Sequence, residues 1–79
     1  MKIYGYEDEG LEPDQVEPSE LLEITLVASA DELRKIAKFL QASAEGMERK
    51  QTEWEHEHLS DAFPEFKTSP HFVVCNPKP

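Results

Sequence analysis

The sequence lacks the features that would cross-link the chain or anchor it in a membrane. Cys75 is the single cysteine, so no disulfide can form within the chain. No apolar run approaches the roughly 20 residues that a membrane-spanning helix needs. No basic and apolar stretch at the N-terminus predicts a signal peptide. We therefore expect a cytoplasmic protein without a membrane anchor.

Basic residues are also scarce, with eight lysines and arginines against 17 aspartates and glutamates and a net charge of −9. Phosphate binding needs clustered basic side chains, so we expect no nucleic-acid ligand. The acidity is uneven: residues 1–23 hold eight acidic side chains and one lysine, and residues 53–61 hold four acidic side chains and no lysine or arginine. Such a field favours encounter with a basic protein partner, although it also serves plain solubility.

The length of 79 residues predicts one domain, 1–79, with a thin core. Folding at this size hides only about 60% of the unfolded chain's surface. One sheet covered by one helix is the architecture that such a core allows. Its stability should be on the order of 3–5 kcal/mol.

One helix is predicted near residues 30–50. Ser29 and Glu32 form a capping box, in which each side chain accepts from the other's backbone N–H. Gly46 and the basic pair Arg49 and Lys50 predict the C-terminal end.

The same helix carries an apolar stripe with spacings of three and four residues. We expect this stripe to dock on the core, while Phe39 lies off it. The stripe consists of Leu33, Ile36, Ala37, Leu40, Ala44 and Met47.

The remaining pattern predicts short strands and two loops. Residues 7–20 are acidic, contain two prolines and show no periodicity, which indicates a long loop that is functional or mobile. Residues 62–70 indicate a second loop, pinned by Phe63 and Phe66. The predicted fold class is α+β: a small antiparallel sheet, in the order β-β-α-β-β, with one amphipathic helix packed on one face. The strands are predicted at residues 2–6, 21–28, 54–59 and 71–75.

No motif of an enzyme or of a cofactor site is present. The sequence contains no nucleophile elbow, no phosphate-binding glycine loop and no EF-hand spacing. Cys75 has no neighbouring base that would activate its thiol. We therefore expect a protein that is not an enzyme and that carries no cofactor.

The segment around His56 and His58 is the one cluster with metal-ligand character. Residues two apart on a strand point the same way, so both imidazoles could reach one ion, with Asp61 nearby and Trp54 on the same face. A third histidine, His71, could join only if its strand lies alongside. The alternatives are histidine–glutamate pairs across a solvated sheet face and direct contacts with a partner.

Several segments together resemble the small bacterial immunity proteins of the immunity protein 32 family, from polymorphic-toxin systems. The resemblance runs over nearly the whole chain apart from the acidic loop. Its most distinctive piece is the His-x-His-Leu-x-Asp segment at 56–61. The other segments are Lys2–Tyr6, Leu26–Ser29 with Glu32-Leu33 and Phe39-Leu40, Met47-Glu48, and Phe72–Val74 with Asn76-Pro77.

The resemblance implies a non-enzymatic protein that binds and neutralises a cognate toxin in the cytosol of the producing cell. It carries over no functional residues. The acidic surface predicts a toxin with a basic surface. Two alternatives remain: a metal-binding protein that uses His56, His58 and Asp61, and a structural homodimer joined through the open edge or outer face of the sheet. The candidate partner-binding residues are Glu7, Asp8, Glu9, Glu12, Asp14, Trp54, His56, His58 and Asp61.

Overall fold

The computed structural model of the chain describes residues 1–7 and 17–77. Two 3-10 helices, Gln51–Glu53 and Pro64–Thr68, lie among its strands and α-helices. The predicted α+β class and the β-β-α-β-β order are confirmed. The elements are β1 (Tyr4–Gly5), β2 (Ser19–Glu20), α1 (Ala30–Lys50), β3 (His56–His58), α2 (Leu59–Ala62) and β4 (Val73–Cys75).

The four described strands form two antiparallel sheets of two strands each, rather than one sheet of four. In the first sheet Tyr4 pairs with Glu20, so β2 occupies the end of the predicted 7–20 loop. Residues 8–16 of that loop lie outside the described residues. In the second sheet Glu57 pairs with Val74. None of the described helices is long and apolar enough to span a bilayer.

The predicted bounds of α1 and its capping box are confirmed. The Glu32 N–H donates to Ser29 Oγ at 3.1 Å, and the Ser29 N–H donates to Glu32 Oε1 at 2.8 Å. The helix ends at Lys50, and the next residue, Gln51, has a φ of 51° with its N–H donating to the Met47 carbonyl. A side-chain capping box therefore defines the start of the helix, and the backbone conformation at Gln51 defines its end.

The predicted docking face of α1 is confirmed at Ile36, which is buried, but most of the predicted stripe faces away from the core. Phe39, which lies off the predicted stripe, is 2% exposed, whereas Leu33 and Leu40 are 46% and 44% exposed. The helix is rotated so that a second row, also spaced by three and four residues, faces inward. Phe39 is the only aromatic residue of the helix, and burying it removes more apolar surface from water than burying a leucine. The inward row consists of Ile36, Phe39, Ser43 and Gly46.

The core lies between α1, α2, the second 3-10 helix and one face of the β3–β4 sheet. Phe39 meets Phe72 edge to face, with ring centroids 6.1 Å apart. The predicted pinning of the 62–70 segment is confirmed, because Phe66 is buried and Phe63 packs beside it. The buried apolar residues are Ile36, Phe39, Leu59 and Phe66.

The predicted strand at 21–28 is also wrong. Its backbone makes one described sheet-like contact, from the Leu21 N–H to the Ile3 carbonyl at 2.7 Å, and no described strand pairs with the residues that follow. The side chains of Leu22 and Val27 are almost fully exposed. Alternation of apolar and polar residues shows which residues would share a face, but it does not supply the neighbouring strand on which pairing depends.

Candidate partner-binding site

The segment 53–61 is held in place by the C-terminal strand. After α1 ends, the 3-10 helix Gln51–Glu53 reverses the chain. The side-chain amide of Asn76 donates to the carbonyls of Gln51 at 2.9 Å and Trp54 at 2.7 Å. The Asn76 N–H also donates to the Glu55 carbonyl at 2.8 Å. These bonds secure the start of the segment without using the exposed side chains of the segment itself.

His56 and His58 lie together on the outer face of the β3–β4 sheet. Their ring centroids are 5.5 Å apart, as the two-residue spacing predicts. His71 joins the row, with its ring 6.2 Å from that of His58. The residues across the ladder are Cys75 and Val73, so the predicted histidine–glutamate pairing is wrong.

The third group of the metal hypothesis lies in the neighbouring helix. Asp61 belongs to α2, is exposed, and forms no ion pair with either histidine of β3 in the part of the chain that the structure describes. Within residues 1–7 and 17–77, no group of three or more His, Cys, Asp or Glu side chains is arranged to hold a metal ion. The arrangement offers three adjacent imidazoles as hydrogen-bonding and stacking groups.

Trp54 does not share the face of the histidines, which corrects the sequence prediction. The chain turns through residues 51–53, and β3 begins only at His56, so strict alternation does not extend back to Trp54. Its indole packs against α1 instead. A Cβ placed on Gly46 would lie 2.6 Å from the Trp54 Nε1. Gly46 is therefore a buried contact within the helix, and the prediction that it marks the end of the helix is wrong.

A surface pocket of about 380 Å³ opens beside Trp54, between α1 and the segment that follows β3. Phe39 and Phe63 are the other aromatic residues that line it, and Lys38 and Glu57 are the two charged ones. Sequence reasoning missed Lys38, Glu57 and Phe63 as parts of one site. One feature of the sequence could have indicated this site. Ser43 and Gly46 follow Phe39 on the same side of the helix, and their small size leaves room for a large side chain.

The acidic side chains of the segment all point to solvent. Glu53, Glu55, Glu57 and Asp61 are exposed, and no described lysine or arginine forms an ion pair with them. Glu7, from the N-terminal set of candidates, is also exposed. The other predicted acidic contacts, Asp8, Glu9, Glu12 and Asp14, lie outside the described residues.

An ion pair ties the 3-10 helix Pro64–Thr68 to α1 near this site. Lys35 Nζ donates to Glu65 Oε2 at 2.6 Å and lies 3.2 Å from Asp31 Oδ2. The hydrogen bonds to Glu65 and Asp31 raise the pKa of Lys35 above its ordinary value. The hydrogen bond from Lys35 lowers the pKa of Glu65. Lys35 is thus paired with Asp31 and Glu65, and among the described residues no carboxylate of 53–61 takes part in an ion pair.

Comparison with known proteins identifies the family. The family model of Immunity protein 32 matches residues 23–77, which is more than half of the chain. The chain belongs to the Immunity protein 32 family. No curated protein and no solved structure matches it.

The match to Immunity protein 32 confirms the resemblance seen in the sequence for every segment but Lys2–Tyr6, which lies outside the matched residues. It covers α1, β3, α2 and β4 together with the whole 53–61 segment. It leaves out residues 1–22, which hold seven acidic side chains and one lysine. Most of the excess negative charge therefore lies ahead of the matched part, while the candidate site lies inside it.

Proposed function

We propose that this member of the Immunity protein 32 family binds and neutralises a cognate bacterial toxin without catalysing a reaction. The observation that supports the proposal is the family match over residues 23–77. The proposed place of action is the cytoplasm of the producing cell, where newly made toxin would otherwise act on its own producer.

The proposed contact surface is the 53–61 segment, whose histidines lie on the outer face of the sheet and whose Glu57 lines the pocket beside Trp54, together with the acidic N-terminal residues. Four exposed carboxylates and three adjacent imidazoles lie on or beside one short strand, next to a pocket lined by three aromatic residues. Aromatic pockets are typical positions of the residues that contribute most to interface energy, and surrounding charges set orientation and association rate. This chemistry favours a toxin surface with clustered lysine and arginine.

Growth rescue tests the function itself. The gene next to the one for this protein should encode a secreted toxin, and expression of that toxin alone in a laboratory host should arrest growth. Co-expression of this chain should restore growth, and the two proteins should co-purify. Arrest that persists at matched toxin levels, with the chain soluble and abundant, would show that the proposal is wrong.

Charge reversal tests the contact surface. Glu55→Lys should raise the Kd for the toxin by roughly tenfold at low salt, because it places a cation in the middle of the acidic segment. Glu45→Lys is the matched control, since Glu45 is an exposed helix residue outside the segment and the change in net charge is the same. It should alter the Kd by less than about twofold. If the two variants raised the Kd equally, the electrostatic effect would depend on the net charge of the chain and not on the position of Glu55.

The N-terminal acidic residues need a test of their own. Amide replacement of all five should flatten the salt dependence of toxin binding, because fewer charges then contribute to the encounter. An unchanged salt dependence would remove them from the proposed surface. The five are Glu7, Asp8, Glu9, Glu12 and Asp14.

A further inference from the structure

An apolar stripe runs along the side of α1 that faces solvent. Leu33 and Leu40 are 46% and 44% exposed, Ala37 and Ala44 are exposed as well, and Met47 is half-buried. The stripe does not belong to the core, since the helix buries Phe39 and its neighbours instead. We call it the helix stripe, and it consists of Leu33, Ala37, Leu40, Ala44 and Met47.

The spacing of the helix stripe is that of a helix-pairing seam. Its members follow one another at four, three, four and three residues, which is the repeat by which two helices pack side by side. Leucine or methionine alternates with alanine along the seam. Alanine lets a facing helix approach closely, while the larger residues supply apolar area. The stripe therefore fits another helix better than it fits a flat sheet.

The charges beside the helix stripe select the direction of such a helix. Arg34, Gln41 and Glu48 lie seven residues apart along one flank, and all three are exposed. Neither Arg34 nor Glu48 has an ion-pair partner among the described residues. In an antiparallel pair of identical helices, Arg34 of each copy lies opposite Glu48 of the other, with the two Gln41 side chains between them. In a parallel pair this flank would face the opposite flank of the other helix, so Arg34 and Glu48 would not meet.

We propose that two copies of this chain form a twofold dimer through the helix stripe, with their α1 helices antiparallel. Leu40 is the midpoint of Ala30–Lys50, so a twofold axis near Leu40 and Gln41 overlaps the two helices along their full length. That length is about 30 Å. A self-complementary patch with its centre on the axis is what a twofold interface requires.

The small core explains why the dimer would form. The described residues bury four large apolar side chains and leave eleven large apolar side chains exposed. A chain of this size gains little stability from its own core and often adds it by association. The dimer leaves the proposed toxin site free, because Lys38 and Ala42, which line the pocket beside Trp54, lie on another side of α1 than the helix stripe.

Sedimentation equilibrium of the full chain tests the dimer. Wild-type protein should approach twice the chain mass of 9.1 kDa as its concentration rises through the micromolar range. Leu40→Lys should sediment as a monomer and keep the helical circular dichroism of wild type. Val73→Lys is the matched control, because Val73 is 41% exposed on the outer face of the β3–β4 sheet. It should dimerise as wild type does.

A charge swap tests the antiparallel direction. Arg34→Glu alone and Glu48→Arg alone should each weaken the dimer roughly tenfold, because each places like charges opposite one another twice per dimer. The double variant Arg34→Glu/Glu48→Arg should return to the wild-type dissociation constant. Both positions are exposed, so the monomer should fold in every case.

Three outcomes would overturn the proposal. Wild-type chain that remains monomeric at millimolar concentration would exclude the dimer. Loss of the dimer in Val73→Lys but not in Leu40→Lys would assign the interface to the outer face of the sheet. A monomeric wild type in which Leu40→Lys abolishes toxin binding would assign the helix stripe to the toxin. If Leu40→Lys restores growth in the presence of the toxin as well as wild type does, the helix stripe and the toxin-binding surface are separate.

Discussion

Gly46 shows how a single residue sets the position of the candidate site. An alanine at this position would favour the helix by about 1 kcal/mol, yet its Cβ would meet the Trp54 indole at 2.6 Å. The ring is rigid, so overpacking should dominate. We expect Gly46→Ala to lower the free energy of unfolding by about 1–2 kcal/mol, as measured by urea titration with circular dichroism.

The same substitution in a Trp54→Ala background is its control. Without the indole, the three atoms nearest the added methyl group are removed, and the helix preference should decide the sign. Gly46→Ala should then stabilise the protein by up to about 1 kcal/mol. If the sign of the effect does not change with Trp54, the contact between the two residues is not what limits position 46.

Phe39 tests the observed orientation of α1. Phe39→Leu should cost about 1–2 kcal/mol, because it opens space in a core of four buried apolar residues. Leu33→Ala, on the exposed side, should change the free energy of unfolding by about 0.5 kcal/mol or less in monomeric protein. If Leu33→Ala lowered the free energy of unfolding more than Phe39→Leu in thermal or urea unfolding, the buried face would be the one that the sequence pattern predicts.

Phe39 and Leu33 also show where sequence reasoning fails for single residues. Leu33 and Leu40 are the more conspicuous apolar pattern, and Phe39 with Ser43 and Gly46 is a row of mixed size and polarity. Which row faces inward depends on Trp54 and Phe72, which are distant in the sequence. Periodicity within one helix contains no information about those partners.

At the scale of elements, the ion pair between α1 and the 3-10 helix Pro64–Thr68 gives a pH dependence. The Glu65 pKa is below its ordinary 4.5, so its stabilisation is present above that value and is lost as the pH falls through the folded pKa. The Lys35 pKa is above its ordinary 10.5, so its stabilisation is present below that value and is lost as the pH rises through the folded pKa. Wild type should therefore be more stable than Glu65→Gln between these limits.

Unfolding measured across pH checks this expectation. The difference between wild type and Glu65→Gln should shrink toward zero at both extremes. Glu45→Gln, at an exposed helix position with no described ion pair, should show a smaller difference throughout. A difference that persists well below the acidic limit would assign the role of Glu65 to packing.

The segment 22–28 gives a prediction about backbone protection. Its amides have no described backbone partner, whereas those inside α1 are bonded along the helix. In hydrogen exchange followed by NMR, residues 22–28 should exchange close to the unprotected rate and the middle of α1 much more slowly. Strong protection at Ile24 and Leu26 would mean that the segment pairs as a strand.

Among the elements, α1 was predictable because its capping box and ends depend on neighbours in sequence. The short strands β3 and β4 were predictable as alternating or β-branched runs, and the nearness of His56 to His58 followed from that. The face on which the Trp54 side chain lies was not predictable, because the 3-10 helix Gln51–Glu53 interrupts the alternation. The 21–28 segment shows that alternation without a neighbouring strand does not make a sheet.

At the scale of the whole molecule, the family match and the charge distribution address different parts of the chain. Residues 23–77 belong to the Immunity protein 32 family and contain the helix, the second sheet and the candidate site. Residues 1–22 add most of the negative charge. The proposal therefore assigns neutralisation to the matched part and electrostatic attraction largely to the N-terminal part.

Titration of the purified cognate toxin with this chain tests the central proposal most directly. The activity of the toxin is measured while wild-type chain is added at a toxin concentration well above the expected Kd. We expect complete inhibition at one chain per toxin molecule, with a Kd that rises as salt is added. Full toxin activity in the presence of a tenfold excess of folded chain would contradict the proposal.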